Sequence, residues 1–263
     1  MSTLTLLEAK GISKRFGGVQ ALTDVSFTIN HGEIYGLIGP NGAGKTSLFN
    51  VLTGIYEPDG GSFMFDGEPL DRLKPNEVAE RGIARTFQNI RLFQNLSALE
   101  NVMIGRHVRT KATVFGAILR DKATLAEEAA IEKRAYELLE YVGIAKRAND
   151  LAKHLAYGDQ RRLEIARALA TEPKLLALDE PAAGMNATET QALKRLLDDI
   201  RRDGTTILLI EHDMKLVMSV CARVLVLDYG RKIAEGTCAV VQNDPQVIAA
   251  YLGGEVSLNL KGT

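Results

Sequence analysis

The chain contains the stretch IYGLIGPNGAGKT, Ile34 to Thr46, in which a short apolar run leads directly into a glycine-rich loop. The run Ile34–Ile38 predicts a buried strand, and a helical pattern follows over Ser47–Leu52. The loop Gly39–Thr46 fits the form G-x-x-x-x-G-K-[ST], in which glycines let backbone N–H groups turn towards phosphate oxygens. Because strand, loop and helix occur together, the stretch predicts a phosphate-binding loop and not a chance glycine turn.

Each residue of this loop is a candidate for binding the phosphates of a nucleoside triphosphate. Lys45 would place a positive charge at the β- and γ-phosphates, and the Thr46 hydroxyl would hold Mg²⁺. The start of the following helix adds a dipole that favours an anion. The residues assigned to phosphate binding are Gly39, Pro40, Asn41, Gly42, Ala43, Gly44, Lys45, Thr46 and Ser47.

A second apolar run, Leu175–Leu178, ends in the carboxylates Asp179 and Glu180. Ligands of open α/β sheets bind at the carboxyl ends of the strands, which is where this pair is expected. Asp179 would orient Mg²⁺, directly or through water, and Glu180 would polarise an attacking water. Such a pair alone also suits a helix cap. Together with the phosphate loop it predicts a protein that binds or hydrolyses a nucleoside triphosphate.

Short apolar runs alternate with helical patterns along most of the chain, which predicts an α/β fold with a mostly parallel sheet. Alternation over Leu6–Asp66 predicts an antiparallel β layer at the N-terminal side. Strand signals fade over 89–158, which we interpret as a mostly helical subdomain inserted in the core. The predicted organisation is a single domain, 1–263, with an α/β core at 1–88 and 159–242 and a tail at 243–263.

Composition excludes some classes of function. The formal net charge is −1, which argues against a nucleic-acid binder that relies on bulk basicity. No apolar run approaches the ~20 residues of a membrane span, and the first residues do not have the pattern of a signal peptide. The two cysteines, Cys221 and Cys238, have no metal-binding spacing. We therefore expect a cytoplasmic protein that reaches a membrane only through partners.

One further stretch, KHLAYGDQRRLEIARALA from Lys153 to Ala170, predicts a turn centred on Gly158 that leads into a helix. It resembles the signature motif of ABC ATPases, Leu-Ser-Gly-Gly-Gln followed by a basic helix. Other elements of that family occur in order along nearly the whole chain. They are the aromatic Phe16, the phosphate loop, Gln88 in RTFQN, the signature-like segment Leu155–Asp159, the Asp179-Glu180 pair, the turn Ala183–Asn186 and His212.

The resemblance implies the ABC ATPase fold, ATP as the nucleotide with Mg²⁺, and a role for each matching residue. Phe16 would stack on adenine, Glu180, Gln88 and His212 would be catalytic, and Thr46, Gln88 and Asp179 would hold Mg²⁺. Taken alone, Phe16 equally suits a core aromatic residue and His212 a structural histidine.

The resemblance also implies a head-to-tail pair of subunits, in which the signature segment of one subunit contacts ATP bound by the other. The residues that would bind ATP in this way are Leu155, Ala156, Tyr157, Gly158 and Asp159. Three of them differ from the usual motif, since Ala156 replaces serine and Tyr157 and Asp159 replace glycine and glutamine. Because Ala156 has no hydroxyl, backbone N–H groups are expected to do more of the binding.

Several segments look most like the ATP-binding subunit of branched-chain amino acid importers, among them Arg81–Gln88, Leu163–Leu169, Ile210–Met218 and Asp244–Gly253. This implies two permeases, an indirectly associated substrate-binding protein, and a paralogous ATPase or a second copy of this chain. It also implies a peripheral location on the inner face of the cell membrane and no nucleic-acid partner. The alternatives are related ABC importers of urea, amides or aromatic acids, a lipopolysaccharide-type exporter, or a soluble ABC ATPase outside transport.

Overall fold

The computed structural model describes residues 4–106 and 122–251. Two compact units are distinguished, the first formed by Met1–Val78 with Leu197–Thr263 and the second by Ala79–Leu196. The finer boundaries predicted at residues 88, 158 and 242 stay a prediction. Among the described residues, no helix has the length and apolar character that crossing a membrane requires.

The strands of the first unit are β1 (Thr5–Phe16), β2 (Val19–Asn30), β3 (Ile34–Ile38), β4 (Gly60–Phe65), β5 (Glu68–Pro69), β8 (Thr206–Ile210), β9 (Arg223–Asp228) and β10 (Arg231–Gly236). Those of the second unit are β6 (Ile83–Arg85) and β7 (Leu175–Asp179). The helices are α1 (Lys45–Leu52), α2 (Pro75–Arg81), α3 (Ala98–Arg106), α4 (Lys122–Tyr141), α5 (Tyr157–Leu169), α6 (Ala187–Arg202), α7 (Met214–Val220) and α8 (Cys238–Gln242).

The first unit contains the predicted antiparallel layer, in the order β2-β1-β4-β5. β1 pairs with both β2 and β4, and register shifts interrupt each ladder. Side chains on one face are buried, including Ile12 on β1, Val25 and Phe27 on β2, and Phe63 on β4. The alternation in the sequence therefore reflects a sheet with one face in the core.

The other sheet of the first unit is the core that the apolar runs predict. Its strands lie in the order β10-β9-β3-β8, with β3 parallel to both β8 and β9, and with β10 antiparallel to β9. Every residue of β3 and of β8 is buried. Strands covered on both faces need continuous apolar runs, which explains why Ile34–Ile38 and Ile207–Ile210 do not alternate.

In the second unit, β6 and β7 pair in parallel, and α3, α4 and α5 pack on one another. An apolar face on α4 and just beyond it is buried, with Ala135, Leu138, Leu139 and Val142 in the core. A capping box precedes α3. The Ser97 N–H donates to Glu100 Oε2 at 2.7 Å, and the Glu100 N–H donates to Ser97 Oγ at 3.2 Å.

A buried amide fixes the chain that leads into α3. The Asn101 side chain is fully buried, and its Oδ1 accepts a hydrogen bond from the Phe93 N–H at 2.9 Å. Its Nδ2 donates to the carbonyls of Phe93 at 3.1 Å and Ser97 at 2.9 Å. The amide thus takes the place of missing backbone partners in the loop before the helix.

We expect Asn101→Ala to lower the free energy of unfolding by about 1–3 kcal/mol, because it leaves the Phe93 N–H and C=O without that partner. Chemical denaturation of the variant, followed by circular dichroism, measures the change. Asn95→Ala is the matched control, since the Asn95 side chain is exposed and accepts a hydrogen bond from the Lys153 ammonium at 3.0 Å. Equal stability of the Asn101 variant and the wild type would contradict the proposed role of the amide.

Candidate active site

The predicted phosphate-binding loop connects the end of β3 to α1, and its backbone conformation requires glycine. Gly42 and Gly44 have φ values of 79° and 101°, and Gly39 has φ 152°. A Cβ at Gly44 would lie 2.7 Å from the Ala21 carbonyl oxygen, and one at Gly39 would overlap the Leu227 carbonyl oxygen. The glycines therefore allow both the turn of the chain and its close approach to neighbouring main chain.

Positive charge is concentrated where this loop meets α1. Lys45 is the first residue of the helix, and its Nζ donates to the carbonyls of Gly39 at 2.7 Å and Pro40 at 3.0 Å. The first turn of α1 carries no acidic residue. The ammonium and the helix N-terminus therefore act in the same direction and favour an anion.

A cavity of about 330 Å³ opens at this helix start. This is within the size range of small-molecule sites. It is lined by Val19, Gln20, Ala21, Gly42, Ala43, Gly44, Lys45, Thr46, Ser47, Tyr229 and Gly230. The structure thus brings six of the nine predicted loop residues to the cavity, while Gly39, Pro40 and Asn41 lie outside its lining.

Five of the lining residues were not predicted from the sequence. Conversely, Phe16, which was predicted to stack on adenine, does not line the cavity. Phe16 is exposed over 40% of its surface and meets the Tyr56 ring edge-on, with centroids 5.0 Å apart. Tyr229 and Gly230 form the tight turn between β9 and β10, with positive φ at both residues. A glycine shortly after an apolar strand indicates such a turn, but nothing in the local sequence shows that the turn faces the phosphate-binding loop.

In the second unit, β7 delivers the two predicted carboxylates. Asp179 is its last residue and is buried, and its N–H donates to Thr86 Oγ1 at 3.3 Å. Glu180 has φ 49°, which is unfavourable for a residue other than glycine. Its Oε2 accepts a hydrogen bond from Gln88 Nε2 at 3.0 Å. The structure therefore joins two of the three predicted catalytic residues directly.

A cation that the sequence reasoning missed lies beside this pair. Burial lowers the pKa of the Arg85 guanidinium to about 10, and the charge of Asp179 opposes that shift. Arg85 therefore stays positive at neutral pH. Its guanidinium also lies over the Phe87 ring at 4.5 Å. The only sequence signal was its position at the end of a short strand, two residues before Phe87.

The signature-like segment differs from the predicted turn. Helix α5 begins at Tyr157 with Ala156 as the N-cap residue, so Gly158 lies inside the first helical turn. No side chain caps this helix start. A Cβ at Gly158 would lie 2.9 Å from Glu189 Oε1, the movable end of a side chain, so this position requires glycine neither for a turn nor for a backbone contact. Leu155 is buried and Tyr157 is partly exposed.

The remaining predicted residue, His212, follows β8 in the first unit. Its side chain is exposed, and its N–H donates to Oε2 of the buried Glu211 at 3.2 Å. Asp213 caps α7 by accepting from the N–H groups of Lys215 and Leu216 at 2.9 and 3.2 Å. The cap fixes the chain direction directly after the histidine. Whether any of these residues contributes to catalysis stays a prediction.

Comparison with known proteins agrees with this architecture. Among solved structures, the chain is similar to the ADP conformation of MJ1267, an ATP-binding cassette of an ABC transporter, with a TM-score of 0.83 and 32% identity over 95% of this chain and 100% of that one. A nucleotide-free ATP-binding cassette from an ABC transporter gives a TM-score of 0.82 and 31% identity, covering 94% and 99% of the two chains.

Sequence relatives give the same assignment. The high-affinity branched-chain amino acid transport ATP-binding protein LivG of Salmonella typhimurium is 46% identical over 94% of this chain and 98% of its own length. BraF of Pseudomonas aeruginosa, of the same description, is 43% identical with the same coverage. The lipopolysaccharide export system ATP-binding protein LptB of Haemophilus influenzae is 36% identical over 97% of this chain and 100% of its own.

Two family models match, the ABC transporter model at residues 22–183 and the model for branched-chain amino acid ATP-binding cassette transporters at residues 231–257. Because the first model spans more than half of the chain, and these relatives align over almost all of it, the chain belongs to the ABC transporter family as an ATP-binding protein.

Proposed function

We propose that this protein is the ATP-hydrolysing subunit of an importer for branched-chain amino acids. The observation that carries the proposal is the cavity at the start of α1, which is lined by Lys45 and by the first residues of the helix. The cargo class is supported by the 46% identity to LivG, against 36% to LptB, and by the match of residues 231–257. An exporter is the second candidate, because the LptB relatives also align along the whole chain.

Each candidate residue has a role in ATP hydrolysis that suits its chemistry. The N–H groups of the loop and the Lys45 ammonium bind the triphosphate, and Ser47 and Thr46 supply hydroxyls at the same helix start. Glu180 accepts a proton from the attacking water, Gln88 orients that water, and His212 contacts the γ-phosphate side. Phe16 is the proposed surface for adenine, with Tyr56 supporting its ring.

Mg²⁺ fits the donor set that the chain offers. Thr46 has its hydroxyl in the lining of the cavity, and Asp179 is a buried carboxylate at a strand end. Mg²⁺ is usually held by one or two such protein oxygens together with substrate phosphates and water, and Gln88 offers a further oxygen. When bound, the ion neutralises charge on the β- and γ-phosphates.

The assembly that we propose has two ATP-binding subunits and two permeases. The start of α5, from Leu155 to Asp159, contacts the nucleotide held by the other ATP-binding subunit, which is a paralogue or a second copy. The complex takes its cargo from a substrate-binding protein that this subunit does not touch. The chain is then cytoplasmic and peripheral on the inner face of the membrane, held there by the permeases.

The exposed ring of Phe93, five residues after Gln88 in the sequence, is the proposed docking point for a permease. The Phe93 side chain is about half exposed, while its backbone is fixed by Asn101. The Arg167 guanidinium lies over its ring at 5.9 Å, and Arg91 is also exposed. A rigidly held aromatic residue with a cation beside it suits the end of a cytoplasmic helix.

Removing the Lys45 charge tests nucleotide binding. We expect Lys45→Ala to weaken ATP affinity about ten- to hundredfold, because it removes a charged hydrogen-bond donor to the phosphates. Equilibrium binding of a fluorescent ATP analogue measures the loss. Lys10→Ala is the control, since Lys10 is exposed on β1 and pairs with Glu8. Unchanged affinity in the Lys45 variant would place the nucleotide elsewhere.

Replacing Glu180 tests the chemical step. We expect Glu180→Gln to retain ATP binding but to lower turnover by about 10²–10⁴-fold, because glutamine cannot accept the proton of the attacking water. Steady-state phosphate release and ATP binding, measured on the same preparation, separate the two effects. The exposed Glu80→Gln serves as the control. Wild-type turnover in Glu180→Gln would show that another group is the base.

Truncating the docking ring tests coupling. The transporter, reconstituted in vesicles with its permeases, is expected to couple ATP hydrolysis to leucine uptake. Phe93→Ala should keep the ATPase rate of the isolated subunit within about twofold and reduce uptake at least about tenfold, because docking residues at the centre of an interface carry most of its energy. Tyr136→Ala, an exposed ring on α4, is the control. Normal uptake by the Phe93 variant would place the docking surface elsewhere, and absence of leucine uptake by the wild type would contradict the cargo assignment.

A further inference from the structure

Arg161, on the first turns of α5, is buried and has well-placed partners on two sides. Its Nη1 donates to the Phe87 carbonyl at 2.9 Å, and its Nη2 donates to the Gln88 carbonyl at 2.6 Å. On the other side, Nε and Nη2 donate to the Tyr157 hydroxyl at 3.2 and 2.7 Å. The planar guanidinium therefore joins the start of α5 to the backbone that carries Gln88.

Two more side chains of α5 hold the same loop. Glu164, almost fully buried, lies 3.5 Å from Arg161 Nη1, and its Oε1 accepts a hydrogen bond from the Arg91 N–H at 2.8 Å. Arg167 Nη1 donates to the Arg91 carbonyl at 2.6 Å. The backbone of residues 87–91 is thus bonded to charged side chains of one helix at each end. A loop held in this way follows the helix when the helix moves.

Tyr157 links this loop to the helix start and to a second turn. It is the first residue of α5, and its ring lies against Gly184, where a Cβ would be 3.2 Å from Tyr157 Cε1. The Arg161 guanidinium lies over the same ring, 5.2 Å from its centroid. A displacement of Tyr157 would therefore shift Arg161, because both the hydroxyl and the ring of Tyr157 contact its guanidinium.

These contacts lead to Gln88, whose Nε2 donates a hydrogen bond to Glu180 Oε2 at 3.0 Å. We propose that Tyr157 and Arg161 are positioning residues that set the orientation of Gln88 against Glu180 and make it depend on the start of α5. The proposal rests on the proposed ATPase function. It also gives a role to Tyr157, because the glycine that usually occupies its position has neither ring nor hydroxyl.

Tyr157→Phe is the most selective test, because it keeps the ring and removes only the acceptor of two Arg161 hydrogen bonds. We expect kcat to fall about tenfold, as for loss of a charged hydrogen bond, while KM for ATP changes less than about twofold. A contact with the nucleotide alone would raise KM instead, and that result overturns the proposal. Tyr136→Phe is the matched control, and its kinetics should equal those of the wild type.

The neighbouring arginines of α5 provide a second comparison. Arg161→Lys keeps a charge beside Glu164 but cannot hold two carbonyls and a hydroxyl at once, so kcat should fall about tenfold or more. Arg162→Lys should leave kcat within about twofold, because Arg162 reaches the Val142 carbonyl at 3.4 Å and not the Gln88 loop. Equal effects of the two substitutions would contradict the proposal.

A double-mutant cycle separates positioning from general stability. If Tyr157 acts through Gln88, then Tyr157→Phe should lower kcat about tenfold in the wild-type background but less than about twofold in Gln88→Ala. Independent effects that multiply in the double variant overturn the proposal, even if each variant is less active. Thermal unfolding of Tyr157→Phe should match the wild type, and a large loss of stability would also count against it. Absence of ATPase activity in the wild type itself would refute the proposed function, which is a separate outcome.

Discussion

In the first unit, the position of the phosphate-binding loop depends on close main-chain contacts at glycines, which leave no space for a Cβ. Gly44 and Gly230 both approach the Ala21 carbonyl oxygen, so the phosphate loop and the β9–β10 turn meet at one point of β2. The Gly230 N–H donates to the Ala43 carbonyl at 2.9 Å, and the Thr23 N–H donates to the Gly230 carbonyl at 2.8 Å. Side chains can change rotamer, whereas these contacts are made by the main chain itself. They therefore hold the start of α1, and the cavity beside it, in a fixed position.

In the second unit, the candidate residues are positioned by buried charged side chains and not by main-chain contacts at glycines. Arg161 and Glu164 are nearly inaccessible, and burial raises the pKa of Glu164 while the hydrogen bond from Arg91 opposes that shift. A buried ion pair contributes little to stability, since desolvation offsets much of the attraction. These charges are better explained by the orientation that they impose, because they bond the peptide groups next to Gln88 in a way that apolar residues cannot.

Local features of the site followed from the sequence, and features that depend on long-range register did not. The phosphate loop, the Asp179-Glu180 pair and the buried strands each lie in one continuous segment, where spacing and apolar character are sufficient. Val19 and Ala21 lie on β2 and line the cavity beside a loop more than 20 residues further along the chain, a proximity that local sequence patterns do not indicate. Gly158 was wrongly predicted to be the centre of a turn: it lies in the first turn of α5, and a glycine in a sequence more often indicates a turn than a helix.

The two glycine-containing helix starts differ in electrostatics, and the difference bears on their roles. The first turn of α1 has no acidic residue and begins with Lys45, so it attracts an anion without help. The first turn of α5 carries Asp159, and the Glu189 carboxylate approaches Gly158, so negative charge already offsets its helix dipole. A phosphate that arrives at α5 must compete with those carboxylates, which disfavours binding of free nucleotide there. The competition weakens when the phosphate is delivered with cations around it, as on a nucleotide already held by a phosphate loop. The start of α5 therefore disfavours free nucleotide, which is consistent with its proposed role in completing a partner's site.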